Sequence, residues 1–115
     1  MEIDRTLLRQ AILNLVKNGL EALSRGGELT IGSRVQGERV EISVADTGPG
    51  IPAELAGRLF EQFFTTKPQG TGLGLSISKQ IIEEHGGELT WANRPGGGAV
   101  FTIRLPIARR EAAHV

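Results

Sequence analysis

The sequence predicts an α/β (α+β) chain folded as a two-layer sandwich, a mixed, mostly antiparallel sheet covered on one face by helices. Apolar residues recur at helical spacing in two segments and alternate with period two in four others. These segments follow one another as helix, strand pair, irregular stretch, helix, strand pair. Strands that follow each other directly make hairpins, and two helices then suffice to cover one face, so a doubly wound βαβ fold is not expected.

In chain order, residues 4–24 carry Leu8, Ile12, Leu15, Val16, Leu20 and Leu23 on one helical face. Asp4 is the expected N-cap, and Gly26-Gly27 ends the pattern. Residues 28–35 and 39–46 alternate, with Leu29, Ile31 and Val35 in the first run and Val40, Ile42 and Val44 in the second. Gln36-Gly37-Glu38 between them signals a hairpin. A short helix is expected over 53–59, after Pro52. Leu73, Ile77, Ile81 and Ile82 return to helical spacing over 73–85, and Gly86-Gly87 stops that helix. Strands follow at 88–93 and 99–105, joined by Arg94-Pro95-Gly96-Gly97-Gly98. A chain of 115 residues suits one domain, expected over 1–108, with 109–115 as a flexible tail.

Thirteen basic residues balance thirteen acidic ones, so no surplus of positive charge points to nucleic acid or to direct membrane contact. The chain has no cysteine, which excludes disulfides and thiolate metal sites. No apolar run approaches the roughly 18–20 residues that span a bilayer. The N-terminus does not read as a signal peptide, so the expected location is cytoplasmic, either free or as the cytosolic part of a membrane-bound protein.

Four constellations carry chemistry. Asn14-Leu15-Val16-Lys17-Asn18 sets two amides four apart, on one helix face beside the apolar stripe. They are either surface or capping amides or a ligand pair, since an amide oxygen can complete the oxygen shell of Mg2+. Asp46-Thr47-Gly48-Pro49-Gly50 follows a strand directly. It is either a plain turn or a purine pocket in which the carboxylate accepts from an exocyclic amine and the glycines admit close backbone approach. Gly70-Thr71-Gly72-Leu73-Gly74-Leu75 opens a helix. It is a hinge or a phosphate cradle of backbone amides aided by the helix dipole. It fits neither a dinucleotide fingerprint, for want of a preceding strand, nor a Walker A loop. Phe60-Glu61-Gln62-Phe63-Phe64-Thr65-Thr66-Lys67 gathers every phenylalanine except Phe101. It is a core cluster or an aromatic anchor for a mobile lid, with Lys67 able to reach phosphate.

In this order and spacing the four segments resemble the boxes of the histidine kinase catalytic domain. That family shares the Bergerat-type ATP-binding (GHKL) fold with type II topoisomerases, mismatch-repair ATPases and a heat-shock chaperone. Residues 13–19 resemble the N box, 46–51 the first glycine box, 60–67 the F box and 70–77 the second glycine box. Residues 96–106 are similar to the closing glycine-strand segment. The resemblance implies an ATP- and Mg2+-binding kinase domain of two-component signal transduction. Its partners would be a separate helical-hairpin domain bearing the phosphoacceptor histidine and, indirectly, a response regulator. Asn18 would coordinate Mg2+, and Asn14 would contact phosphate or its waters. Asp46 would bind the adenine amine, with Gly48, Gly50 and Ile51 beside it. Thr71, Gly72, Leu73, Gly74 and Leu75 would cradle phosphate, and Lys67 would assist.

Hydrolytic relatives carry a glutamate where this chain has Asn14, and an amide cannot act as general base, so transfer rather than hydrolysis is expected. That position counts against an ATPase or a serine kinase of the same superfamily. Three departures stand out. The chain opens at the family's first helix, without the strand that usually precedes it, so the sheet is expected to lack an edge strand. This motivates the alternative of a truncated docking module without kinase activity. Ala99 stands where the family often has Ser or Thr. No phosphoacceptor histidine is visible, because His85 reads as a structural helix-end residue favoured by the dipole when charged, and His114 lies in the tail.

Overall fold

The computed structural model describes residues 4–23, 26–61 and 74–106. Helix α1 spans Arg5–Ala22 and begins where expected, with the Asp4 carboxylate accepting from Leu7 N–H at 3.0 Å. A hairpin follows, β1 (Leu29–Gln36) and β2 (Arg39–Asp46), closed by Gly37 at φ 62°. The short helix after Pro52 is a 3₁₀ helix, Ala53–Arg58. Helix α2 runs Gly74–Glu84, and Gly86 in the left-handed region ends it while Gly87 N–H bonds back to Ile82 C=O at 3.0 Å. Strands β3 (Glu88–Asn93) and β4 (Ala99–Pro106) complete the sheet.

The strand order is β1-β2-β4-β3, and all three pairings are antiparallel, so the expected mixed sheet is purely antiparallel among the described strands. Short turns make β1-β2 and β3-β4 antiparallel hairpins, and the connection from β2 through α2 crosses over so that β4 lies between β2 and β3. On β4, Ala99, Phe101, Ile103 and Leu105 are buried in strict alternation, because that strand lies inside the sheet with both helices on one face. Val44, Leu89, Ala11, Leu15, Ile81 and Ile82 complete the core. Each large side chain buried there stabilises the fold by roughly 1.5–3 kcal/mol. Gly19 lets α1 sit close to the sheet, since a Cβ there would stand 2.5 Å from Leu29 Cδ1.

The helices are antiparallel and joined at three levels. Asp4 N–H donates to His85 Nε2 at 3.0 Å. Ser78 Oγ donates to Ala11 C=O at 3.0 Å. Asn14 Nδ2 donates to Gly74 C=O at 3.4 Å. Moving forward along α1 thus moves backward along α2, which brings the start of α2 beside Asn14.

Candidate functional site

The hairpin register sets the first half of the site. Asp46 ends β2 opposite Leu29 of β1, next to Ala45, which pairs with Val100 of β4. Strand alternation turns the Asp46 side chain inward, and the residue is 4% exposed. One carboxylate oxygen accepts from Gly48 N–H at 2.8 Å and Ala99 N–H at 3.4 Å. No described residue donates to the other oxygen. Among the described residues no side-chain polar atom is sealed in without a partner, so this oxygen reaches the surface of the site. A single acceptor is therefore presented from an otherwise enclosed carboxylate.

The glycines around Asp46 answer to local crowding. A Cβ on Gly48 would stand 2.7 Å from the Ala22 carbonyl, so the loop is pressed against the end of α1. Gly50 adopts φ 81°, and a Cβ there would stand 2.9 Å from Asn93 Oδ1. Gly98 is the tightest of all. Its Cβ would overlap the Asp46 carbonyl oxygen, and its φ is 96°. From the sequence, the glycines of 46–51 serve either a plain turn or close approach by a ligand. In the structure Gly48 and Gly50 are already required by the packing of the protein on itself.

Helix α1 supplies the second half. Asn14, Asn18 and Ala22 follow at four-residue intervals and lie along one flank. Ala22 touches the Gly48 loop, and Asn14 touches Gly74 at the start of α2. The flank thus connects the sheet-end carboxylate to the helix opened by the second glycine segment, over roughly 12 Å of helix. Both amides are partly exposed. Gly74 has open space where a Cβ would project, and Leu75 packs against the core. Lys67, Thr71, Gly72 and Leu73 lie outside the described residues, as do Phe63 and Phe64. Phe60 is described and anchored, edge-on to Phe101 with ring centroids 6.5 Å apart and Lys79 Nζ 5.3 Å from its ring centre.

Two residues at this end escaped the sequence reading. Asn93 donates from Nδ2 to Ile51 C=O at 2.9 Å and accepts from Ile51 N–H at 2.8 Å. Arg94 donates to Asp46 C=O at 2.9 Å. Both sit at a strand end before a glycine turn, where polar residues are commonplace, and nothing local marks partners more than forty positions away. His85 is structural as expected, a buried residue at the end of α2. Its Nδ1 faces Ile81 C=O at 2.8 Å and so carries the hydrogen, leaving Nε2 to accept from Asp4. A cleft of about 260 Å³ at the opposite end of the sheet, lined by Arg39, Glu88 and Arg104 among others, contains none of the expected site residues.

The chain matches the family model described as histidine kinase-, DNA gyrase B- and HSP90-like ATPase over residues 3–109. It is 41% identical, over 97% of its length, to the C4-dicarboxylate transport sensor protein DctS of Rhodobacter capsulatus, and covers 18% of that protein. It spans less than a quarter of the curated relatives it matches. Among solved structures, the nucleotide-free catalytic domain of histidine kinase ThkA superposes with TM-score 0.83 at 47% identity, covering 92% of this chain and 70% of that one. Full-length ShkA in complex with AMPPNP superposes with TM-score 0.76 at 36% identity, covering 87% of this chain and 21% of that one.

Proposed function

The chain belongs to the histidine kinase-, DNA gyrase B- and HSP90-like ATPase family as a histidine kinase catalytic domain, and from that premise we propose that it binds ATP with Mg2+ and transfers the γ-phosphoryl group to a histidine on a separate helical-hairpin domain. Such a histidine would in turn hand the group to a response regulator. The AMPPNP bound in ShkA supports a nucleotide as the ligand. The observation that carries the proposal is the single outward oxygen of Asp46, joined by one flank of α1 to the start of α2.

In this proposal Asp46 accepts from the exocyclic amine of adenine, with Gly48, Gly50 and Ile51 forming the adjoining backbone. A guanine would present a carbonyl oxygen to the carboxylate and be repelled. Asn18 offers a hard amide oxygen to Mg2+, and Asn14 orients phosphate or its waters, both from a rigid helix. The metal, when bound, supplies charge neutralisation of the triphosphate. The segment from Thr71 to Leu75 would hold phosphate through backbone amides, and Lys67 would assist. Asn14 already faces a carbonyl and carries no basic group, so water is not activated.

Calorimetric titration with a non-hydrolysable ATP analogue and Mg2+ tests the binding half. Saturable heat is expected, and none at millimolar nucleotide would sink the proposal. A histidine-bearing hairpin domain mixed with labelled ATP tests the transfer half. Label on its histidine with little free phosphate is expected, and an unlabelled histidine despite nucleotide binding would leave a docking module instead.

A further inference from the structure

The loop that carries the proposed base contacts contains Gly48, Pro49 and Gly50, and two glycines in so short a stretch give it wide conformational freedom. Yet it is fixed at both ends by residues of β3, β4 and the turn between them. At its start, Ala99 N–H meets the Asp46 carboxylate and Arg94 holds the Asp46 carbonyl. At its far end, the Asn93 side chain makes both hydrogen bonds to Ile51 that a neighbouring strand would make, at 2.8 and 2.9 Å. Asn93 is the last residue of β3 and pairs with Ala99, so the two anchors are backbone neighbours across one ladder rung. The contact also sets the conformation of Gly50, whose missing Cβ leaves the room that Asn93 Oδ1 occupies.

We propose that Asn93 is a positioning residue of the base pocket: through the backbone of Ile51 it holds the glycine loop in its binding-competent form, without touching nucleotide itself. This rests on the nucleotide proposal above. Asn93 is exposed and contributes nothing to the core, so its loss falls on the loop rather than on the fold. A loop free to leave this geometry is binding-competent for only part of the time, and apparent affinity falls by that fraction.

The test compares the whole chain with Asn93→Ala and Asn93→Asp, the latter keeping the oxygen that accepts from Ile51 N–H. Three quantities are measured: affinity for AMPPNP with Mg2+, the ratio of ADP to GDP affinity, and residue-resolved amide exchange. For Asn93→Ala the Kd is expected to rise about tenfold and adenine selectivity to narrow, as loss of a paired contact implies. Exchange at Ile51 should quicken while β4 amides stay protected and the melting point moves by less than about 5 °C. Asn93→Asp should restore Ile51 protection and part of the affinity. Unchanged affinity in Asn93→Ala alongside fast Ile51 exchange overturns the inference, since the loop then needs no clamp. Loss of binding together with β4 protection overturns it too, because the role is then merely structural. If the unaltered chain binds no nucleotide, the proposed function itself falls and takes this inference with it, an outcome visible before any variant is made.

Discussion

Asp46 divides its two oxygens between tasks, one satisfying Gly48 and Ala99 N–H and one left outward. Replacing Asp46 by Asn keeps an oxygen for the internal bonds and removes the charge, so fold and recognition separate. Asp46→Asn should fold normally yet lose a charge-assisted bond of about 1.5–3 kcal/mol, lowering ATP affinity roughly ten- to hundredfold. Titration calorimetry reads the loss and circular dichroism checks the fold. Gly98 makes the opposite case, because a side chain there meets both a left-handed backbone and the Asp46 carbonyl. Gly98→Ala should cost at least about 1–3 kcal/mol in urea unfolding, with nucleotide affinity falling as Asp46 is displaced. Of these residues, Asp46 was legible because an alternating run ends abruptly in an acid before two glycines. The demands on Gly98, Asn93 and Arg94 were not, since each arises only when β4 is laid beside β2.

Between the two helices, the polar contacts at Asp4–His85 and Ala11–Ser78 are seven residues apart on each helix, so they repeat along one antiparallel seam. Helical periodicity identified both elements and placed their ends within about a residue or two. It could not show that Ser78, a small polar residue on an apolar face, sits fully buried against α1. His85 is 6% exposed and tied at both ring nitrogens, so removing it strands the Asp4 amide. His85→Ala should destabilise by roughly 1–3 kcal/mol, measured by chemical denaturation. Because the seam also sets Gly74 beside Asn14, the same variant should weaken nucleotide binding when assayed well below its melting point. An undiminished stability would show that the α1 start is held by its Asp4 cap alone.

Taken as one body, the molecule keeps its charge network away from the candidate site. Glu41 of β2 pairs with Arg34 at 3.0 Å and Arg104 at 2.8 Å, and Arg104 reaches Glu88 at 3.4 Å. The hydrogen bond from Arg104, with help from Arg34, holds the Glu41 carboxyl below its ordinary value of 4.5, and desolvation only partly opposes this. A carboxyl depressed in the folded state adds stability that is fully present above the unfolded value and lost as pH falls through the folded one. Glu41→Gln should therefore flatten the acid limb of a stability profile taken between about pH 7 and pH 3, while added salt trims the wild-type advantage near neutrality. The layer order and every described strand were readable from hydrophobic periodicity, although β1 alternates without burying its apolar side chains, Ile31 being 54% and Val35 67% exposed. The convergence of the α1 flank with the loop after β2 was expected only through the resemblance that the motifs carry together, as no local pattern encodes which ends of a sheet and a helix meet. One practical outcome follows from the hairpin turn at Gly37 and Glu38, which stands at the far end of β2 from Asp46. The chain has no cysteine, so Glu38→Cys would create a unique thiol roughly 24 Å along the strand from the pocket. A fluorophore or surface linker coupled there would give every molecule on a chip the same orientation, with the recognition end facing the solvent.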